Sequence, residues 1–167
     1  MNAYYSLSLL GRALGSSSLS YLGEVLTSIE VHGVKHYWHM SSQRSHYGSG
    51  AFAKGKCVGM VWSDKAVQET WFAVGKAYVH LINVLPITPV TEQLLSREWV
   101  REAYPVLLAS LPNARPAMDD SWLGFAHAEL AVLDPPAAWE KMQHLISFDG
   151  GASRTNYLYW VATRPRQ

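Results

Sequence analysis

Of the first fifteen residues only Arg12 carries a charged side chain. Leu7, Leu10 and Leu14 fall on one face of a helix predicted over residues 3–14, with Tyr4 and Tyr5 ahead of them. A helix with so little polar surface is stable only when it is covered on several sides. The chain is therefore expected to build its start into a helical assembly. Gly15 is placed to stop this helix, and Ser16, Ser17 and Ser18 can cap the next one. That second helix is predicted from about Leu19 to about His39. Leu19, Leu22, Leu26 and Ile29 form its stripe, widened by Val25 and Tyr37. So short a connection predicts an antiparallel hairpin.

The remainder also reads as helices, joined by connections rich in Gly and Pro. Residues 41–56 are polar, with Ser and Gly prominent, and read as a loop. Cys57 to Trp62 is a short apolar run, either a strand or an extended rim, and residues 66–72 are ambiguous. Tyr78 to Leu85 is apolar and stops at Pro86. Pro86 and Pro89 bias the residues before them toward extended geometry. Thr91 is expected to cap a short turn through Leu95, and Ser96 precedes a helix to about Ala109. Pro105 is expected to kink that helix or end its first half. Asp119 or Asp120 caps a helix to about Leu133, and Asp134-Pro135 opens another through Trp139, Met142 and Leu145. Gly150 and Gly151 break the chain before a last helix, 153–163, capped by Ser153. The total is roughly six helices, with no repeat of 20–50 residues. No βα alternation is present, which argues against a Rossmann or barrel fold, so the expected class is all-α.

Composition narrows the function. Charged residues make up 16% of the 167 and apolar residues 49%. That charge fraction is low for a free-standing domain and suits part of a larger body. The net charge is +1 and the cations are scattered, so no nucleic-acid partner is expected. No apolar run is long enough to cross a bilayer, and Met1 is not followed by a basic segment and an apolar stretch, so neither a membrane partner nor a leader is read here. The single cysteine, Cys57, excludes an intrachain disulfide. His32, His36 and His39 recur at helical spacing and are the best metal candidates. With no His-Glu-x-x-His and no carboxylate-rich loop, no metal and no cofactor is expected. Seven Trp and nine Tyr fit either a carbohydrate cleft, whose sugars present apolar faces with polar edges, or ordinary helix packing.

Hydrolysis of a glycosidic bond uses two carboxyl groups, yet most carboxylates here have a structural explanation. Glu24, Glu98, Glu102 and Glu140 read as solvated helix charges, and Asp119, Asp120 and Asp134 as caps. Asp149, ahead of Gly150-Gly151, can accept from turn amides. Glu129 lies on a largely apolar helix and would need a partner such as an Arg if buried. Glu92 follows the rigid Pro86-to-Thr91 segment and reads as either a substrate contact or local structure. No Gly-x-Ser-x-Gly elbow or phosphate-binding glycine loop occurs.

Three stretches share a further pattern. The first is Asn2-Ala3-Tyr4-Tyr5, opening the Leu-rich helix. The second comprises Gly59-Met60-Val61-Trp62, Thr70-Trp71-Phe72, His80 and Leu85-Pro86-Ile87-Thr88-Pro89-Val90-Thr91-Glu92. The third is Phe148-Asp149-Gly150-Gly151-Ala152-Ser153-Arg154-Thr155-Asn156, followed by Leu158-Tyr159-Trp160. Trp99-Val100 and Tyr104-Pro105 lie between the last two. In this order the chain resembles the C-terminal end of the family-81 glycoside hydrolases, the endo-β-1,3-glucanases. The resemblance implies that residues 1–167 are the C-terminal fragment of a helical catalytic domain. That domain is an (α/α)6 toroid, incomplete in this chain. It also implies an inverting hydrolase acting on β-1,3-glucan; no specific protein partner is predicted. The parent would be secreted or associated with a cell wall. The family's acid and base lie ahead of the stretch matched by Asn2-Ala3-Tyr4-Tyr5, so no catalytic residue is assigned here. Tyr5, Trp71, His80 and Glu92 are the residues expected to contact glucan. After His80 the family has Gly and a polar residue where Leu81-Ile82-Asn83 stands. The alternative reading is a non-catalytic helical module that binds β-glucan.

Overall fold

A computed structural model describes residues 1–165. Helix α1 (Asn2–Ala13) and helix α2 (Ser17–Gly33) form the expected antiparallel hairpin. Gly15 makes the turn at φ +68°, and Ser16 Oγ accepts from Leu19 N at 3.4 Å. The helices meet through small residues. A Cβ on Gly11 would lie 2.2 Å from Ser20 N, and one on Gly23 would lie 2.3 Å from Ser8 N. Backbones this close leave no room between them for leucine. Leu14 is therefore 68% exposed and Ile29 64% exposed, and Leu10 and Leu22 are exposed as well. The expected apolar stripes do not form the hairpin seam. Ser8, Gly11, Gly23, Thr27 and Val31 are buried instead.

Helix α2 runs into a π-helical turn, Val34–Trp38, and His39 then bridges to Cys57. The predicted 41–56 loop contains a short helix, α3 (Ala51–Gly55). Strands β1 (Met60–Val61) and β2 (Ala66–Val67) pair antiparallel, with Met60 opposite Val67. Residues 57–62 thus hold a bridge and a two-residue strand.

The body consists of α4 (Lys76–Ile82), α5 (Thr91–Leu94), α6 (Arg97–Ser110), α7 (Asp120–Leu133), α8 (Pro135–Gln143) and α9 (Arg154–Ala162). Helices α6 to α9 each pack on the next, and α4 lies on α6 and α7. Their core contains Val100, Leu107, Phe125, Met142, Tyr157 and Trp160. Leu107 has no exposed surface, and cutting such a leucine to alanine costs about 2–5 kcal/mol. Gly124 is required where Tyr157 crosses α7, since a Cβ there would sit 2.5 Å from the ring.

The caps follow the sequence. Ser96, Asp119, Asp134 and Ser153 each accept a backbone N–H at their helix starts. Arg97 donates to the carbonyls of Val132 and Leu133 at 2.7 and 3.1 Å, placing a cation on the negative end of α7. Two expectations are corrected. Pro105 does not end the first half of α6, which runs on from Arg97 to Ser110 with Pro105 exposed. Thr91 does not cap a following turn. Its hydroxyl accepts from Thr88 N at 3.0 Å and closes the preceding one.

Glu129 is wholly buried, and neither carboxyl oxygen has a hydrogen-bond partner among the described residues. Among the described residues no arginine supplies the partner suggested by the sequence. Burial instead pushes the carboxyl up to about 8, so the neutral acid is the form held in the core.

Candidate functional site

The turn Pro86–Thr91 is stiffened from within. Thr91 N donates to Thr88 O at 2.9 Å, and the Thr91 hydroxyl donates to Pro86 O at 3.4 Å. Two distant parts of the chain grip it from either side. The Thr88 hydroxyl donates to Asn2 Oδ1 at 2.9 Å, across 86 residues of sequence. Asn156 Nδ2, in the first turn of α9, donates to Ile87 O at 3.2 Å. The Asp149–Gly151 loop comes against the same turn, since a Cβ on Gly151 would lie 3.7 Å from Pro86 Cβ. Asp149 Oδ1 accepts from Gly151 N at 2.9 Å, the role its sequence context suggested.

Between this turn and α9 lies a groove of about 210 Å³, lined by Thr88, Glu92, Asn156, Tyr159, Trp160 and Arg164, among others. Arg164 reaches both Glu92 oxygens at 3.4 Å and lies 3.7 Å over the Trp160 ring. Its Nε also donates to Trp160 O at 3.1 Å. Asn156 Oδ1 is buried without a partner among the described residues, and Tyr159 is 65% exposed. The groove therefore offers a carboxylate as acceptor, a guanidinium as donor, and an aromatic side chain. Such a set suits a neutral polyol with an apolar face. Its one carboxylate, Glu92, is ion-paired, so these groups bind and orient but do not make the two-carboxyl arrangement of glycoside hydrolysis.

The four residues expected to contact ligand do not come together. Glu92 lies in the groove, with 57% of its side chain exposed. Tyr5 is half-buried on α1, one turn after Asn2. Trp71 is 76% exposed and lies at the outer end of a row of rings. It meets Phe72 at 5.2 Å, and contacts continue through Trp122, Phe125 and Tyr157 to Phe148 beside the Asp149 loop. His80 has no exposed surface and is not among the residues that line the groove. Its Nε2 meets Gly55 O at 2.7 Å, and its ring lies 6.3 Å from that of Trp99. A carbonyl only accepts, so Nε2 carries the proton. Burial lowers this histidine to about 4, so the neutral ring is held among packed groups. Asn156, Tyr159 and Arg164 were not singled out from the sequence. Asn156 and Tyr159 stand inside the third motif stretch, where a polar amide opening an otherwise aromatic helix was the available signal.

Residues 1–161 match the family described as the glycosyl hydrolase family 81 C-terminal domain. The chain is 34% identical over 167 residues to a glucan endo-1,3-beta-D-glucosidase of Glycine max, covering 98% of this chain and 25% of that protein. It is 29% identical over 164 residues to a glucan endo-1,3-beta-D-glucosidase of Arthroderma benhamiae, covering 95% of this chain and 18% of the other. Its fold superimposes on a solved family 81 glycoside hydrolase of Clostridium thermocellum with a TM-score of 0.77 at 25% identity, covering 96% of this chain and 22% of that one. The chain thus spans a quarter or less of the length of these relatives.

Proposed function

The chain belongs to glycosyl hydrolase family 81, matching its C-terminal domain, and from that membership we propose that it forms the C-terminal portion of an (α/α)6 toroid that hydrolyses β-1,3-glucan internally with inversion. The observation that carries this reading is the convergence of three sequence stretches on one groove. Asn2, the Ile87–Glu92 turn and the start of α9 are joined there by the Asn2–Thr88 and Ile87–Asn156 hydrogen bonds. In the proposal Glu92 and Arg164 bond glucose hydroxyls, and Tyr159 supports a pyranose face. Tyr5 and Trp71 extend contact along the chain direction. His80 acts through the packing beneath the site rather than by touching sugar.

The acid and base belong to carboxyl groups other than Glu92, whose pairing with Arg164 favours binding over proton transfer. That same pairing supports the second reading, a helical module that binds β-glucan without cleaving it. Calorimetry with laminarihexaose and reducing-sugar release from laminarin test both on the purified chain. Binding with turnover orders of magnitude below that of a complete relative is expected. Turnover comparable to a complete relative would overturn the proposed division of labour. Absence of binding would leave the chain a structural helical domain.

A further inference from the structure

A second, larger groove of about 780 Å³ lies where the π-helical turn, the 41–44 segment and the start of α6 meet. It shares no lining residue with the groove beside α9. π-turns inside helices recur at functional sites, and this one ends directly before His39. His39 is 4% exposed, stacks on Trp99 with ring centroids 3.7 Å apart, and has no hydrogen-bond partner at either ring nitrogen among the described residues. Burial, above all, lowers it to about 3, so the ring is neutral, with one donor and one acceptor unspent among the described residues. Buried polar groups are normally satisfied, and an exception calls for an explanation.

The walls are built and fixed. Glu102 accepts from Ser42 N at 2.7 Å, Ser42 Oγ at 2.9 Å and Lys56 Nζ at 2.7 Å, which ties the 41–44 segment to α6. Ser41 and Arg44 close a turn through their backbones at 2.9 and 3.3 Å. Trp99 spends its indole N–H on Lys56 O at 2.9 Å. By contrast, the side chains of Lys35, Gln43, Arg44 and Glu98 make no hydrogen bond or ion pair among the described residues. The lining holds two cations, Lys35 and Arg44, and two carboxylates, Glu98 and Glu102. An anion entering would meet the carboxylates and a cation would meet Lys35 and Arg44. No group of three or more His, Cys, Asp or Glu suited to a metal occurs among the described residues. A neutral ligand bearing many hydroxyls satisfies both signs, because each hydroxyl both donates and accepts.

We propose that this groove is a second binding site, for a neutral carbohydrate, with Lys35, Gln43, Arg44 and Glu98 bonding hydroxyls above the His39–Trp99 stack. The site does not depend on the reading of the groove beside α9. Its test is laminarihexaose titrated into the ¹⁵N-labelled chain, with inorganic phosphate as the competing probe. The sugar should shift the backbone resonances of Gln43, Arg44 and Glu98 and the indole resonance of Trp99. The double variant Arg44→Ala, Glu98→Ala removes two exposed side chains that hold nothing else, so it keeps the fold. It should weaken binding at these resonances by at least about tenfold, from the loss of hydrogen bonds to two charged groups. Tyr159→Ala should leave these resonances and their affinity unchanged while affecting the other groove, which separates the two sites. The proposal is overturned if laminarihexaose leaves these resonances in place, if phosphate moves them instead, or if the double variant binds as tightly as the parent chain.

Discussion

Tyr159 and Glu92 line the α9 groove for different reasons, and single substitutions separate them. The Tyr159 ring is exposed, so Tyr159→Ala should leave stability within about 0.5 kcal/mol. On the proposed function it should weaken laminarihexaose binding by roughly fivefold, the equivalent of about 1 kcal/mol of ring contact. Calorimetry and thermal melting of the same preparation read both numbers. Glu92 pairs with Arg164 at 3.4 Å on a largely exposed side chain, an interaction worth under about 1 kcal/mol. Glu92→Gln should therefore change the melting temperature little and lower affinity measurably. A large fall in melting temperature with no separate loss of affinity would assign Glu92 to structure. Its place beside a rigid proline turn was readable from order along the chain. Its guanidinium partner 72 residues later was not, because nothing local connects Arg164 to it.

At the scale of elements, the α1–α2 hairpin makes an unusual demand on its glycines. Helix propensity alone says that Gly→Ala inside a helix gains up to about 1 kcal/mol. At Gly11 the new methyl would stand 2.2 Å from Ser20 N, a backbone atom that cannot move without parting the helices. Gly11→Ala should thus lose about 1–3 kcal/mol. Gly33 is also helical but has nothing within 4 Å of an added Cβ, so Gly33→Ala should gain up to about 1 kcal/mol. Opposite shifts in melting temperature, read by circular dichroism, test the close-contact seam. Equal gains at the two positions would refute it. The caps at Ser96, Asp119, Asp134 and Ser153 were legible because capping is local chemistry. The hairpin seam was not, since leucine spacing says which face is apolar but not which face a neighbour reaches first.

For the whole molecule, pH selects between two opposed burdens. His39, His80 and His127 are held neutral at about 3, about 4 and about 4, below their ordinary value of 6.5. Their contribution is fully present above about pH 6.5 and is lost as pH falls toward those values. Glu129 is held neutral at about 8, above its ordinary 4.5. Its contribution is fully present below about pH 4.5 and is lost as pH rises through 8. Each group changes stability by about 1.4 kcal/mol per pH unit inside its window. Between pH 4.5 and 6.5 the three histidines outweigh the one carboxyl, and above 6.5 the carboxyl acts alone. Stability should peak near pH 6.5, and Glu129→Gln should flatten the alkaline side. Urea melts from pH 5 to 8.5 check this, and an alkaline slope that survives in Glu129→Gln would refute the assignment. A second expectation concerns association. Leu14, Tyr21 and Ile29 leave apolar surface open along the hairpin, and patches of that kind promote self-association. Light scattering after size exclusion should show mass rising with concentration.

The all-α class, the main helix starts and the order of the family's motifs were decided by the sequence itself. Periodicity, capping and turn chemistry act within a few residues, and a motif series needs only its order along the chain. Tertiary structure alone decided that Asn2, Ile87, Thr88 and Asn156 meet, that His80 is turned into the core, and that Trp71 stands outside it. It also decided that, among the described residues, Glu129 meets no arginine and His39 stacks on Trp99 with both nitrogens unspent. These outcomes depend on which faces approach across tens of residues. Close packing settles that through volume and backbone distance, and neither is written in local spacing.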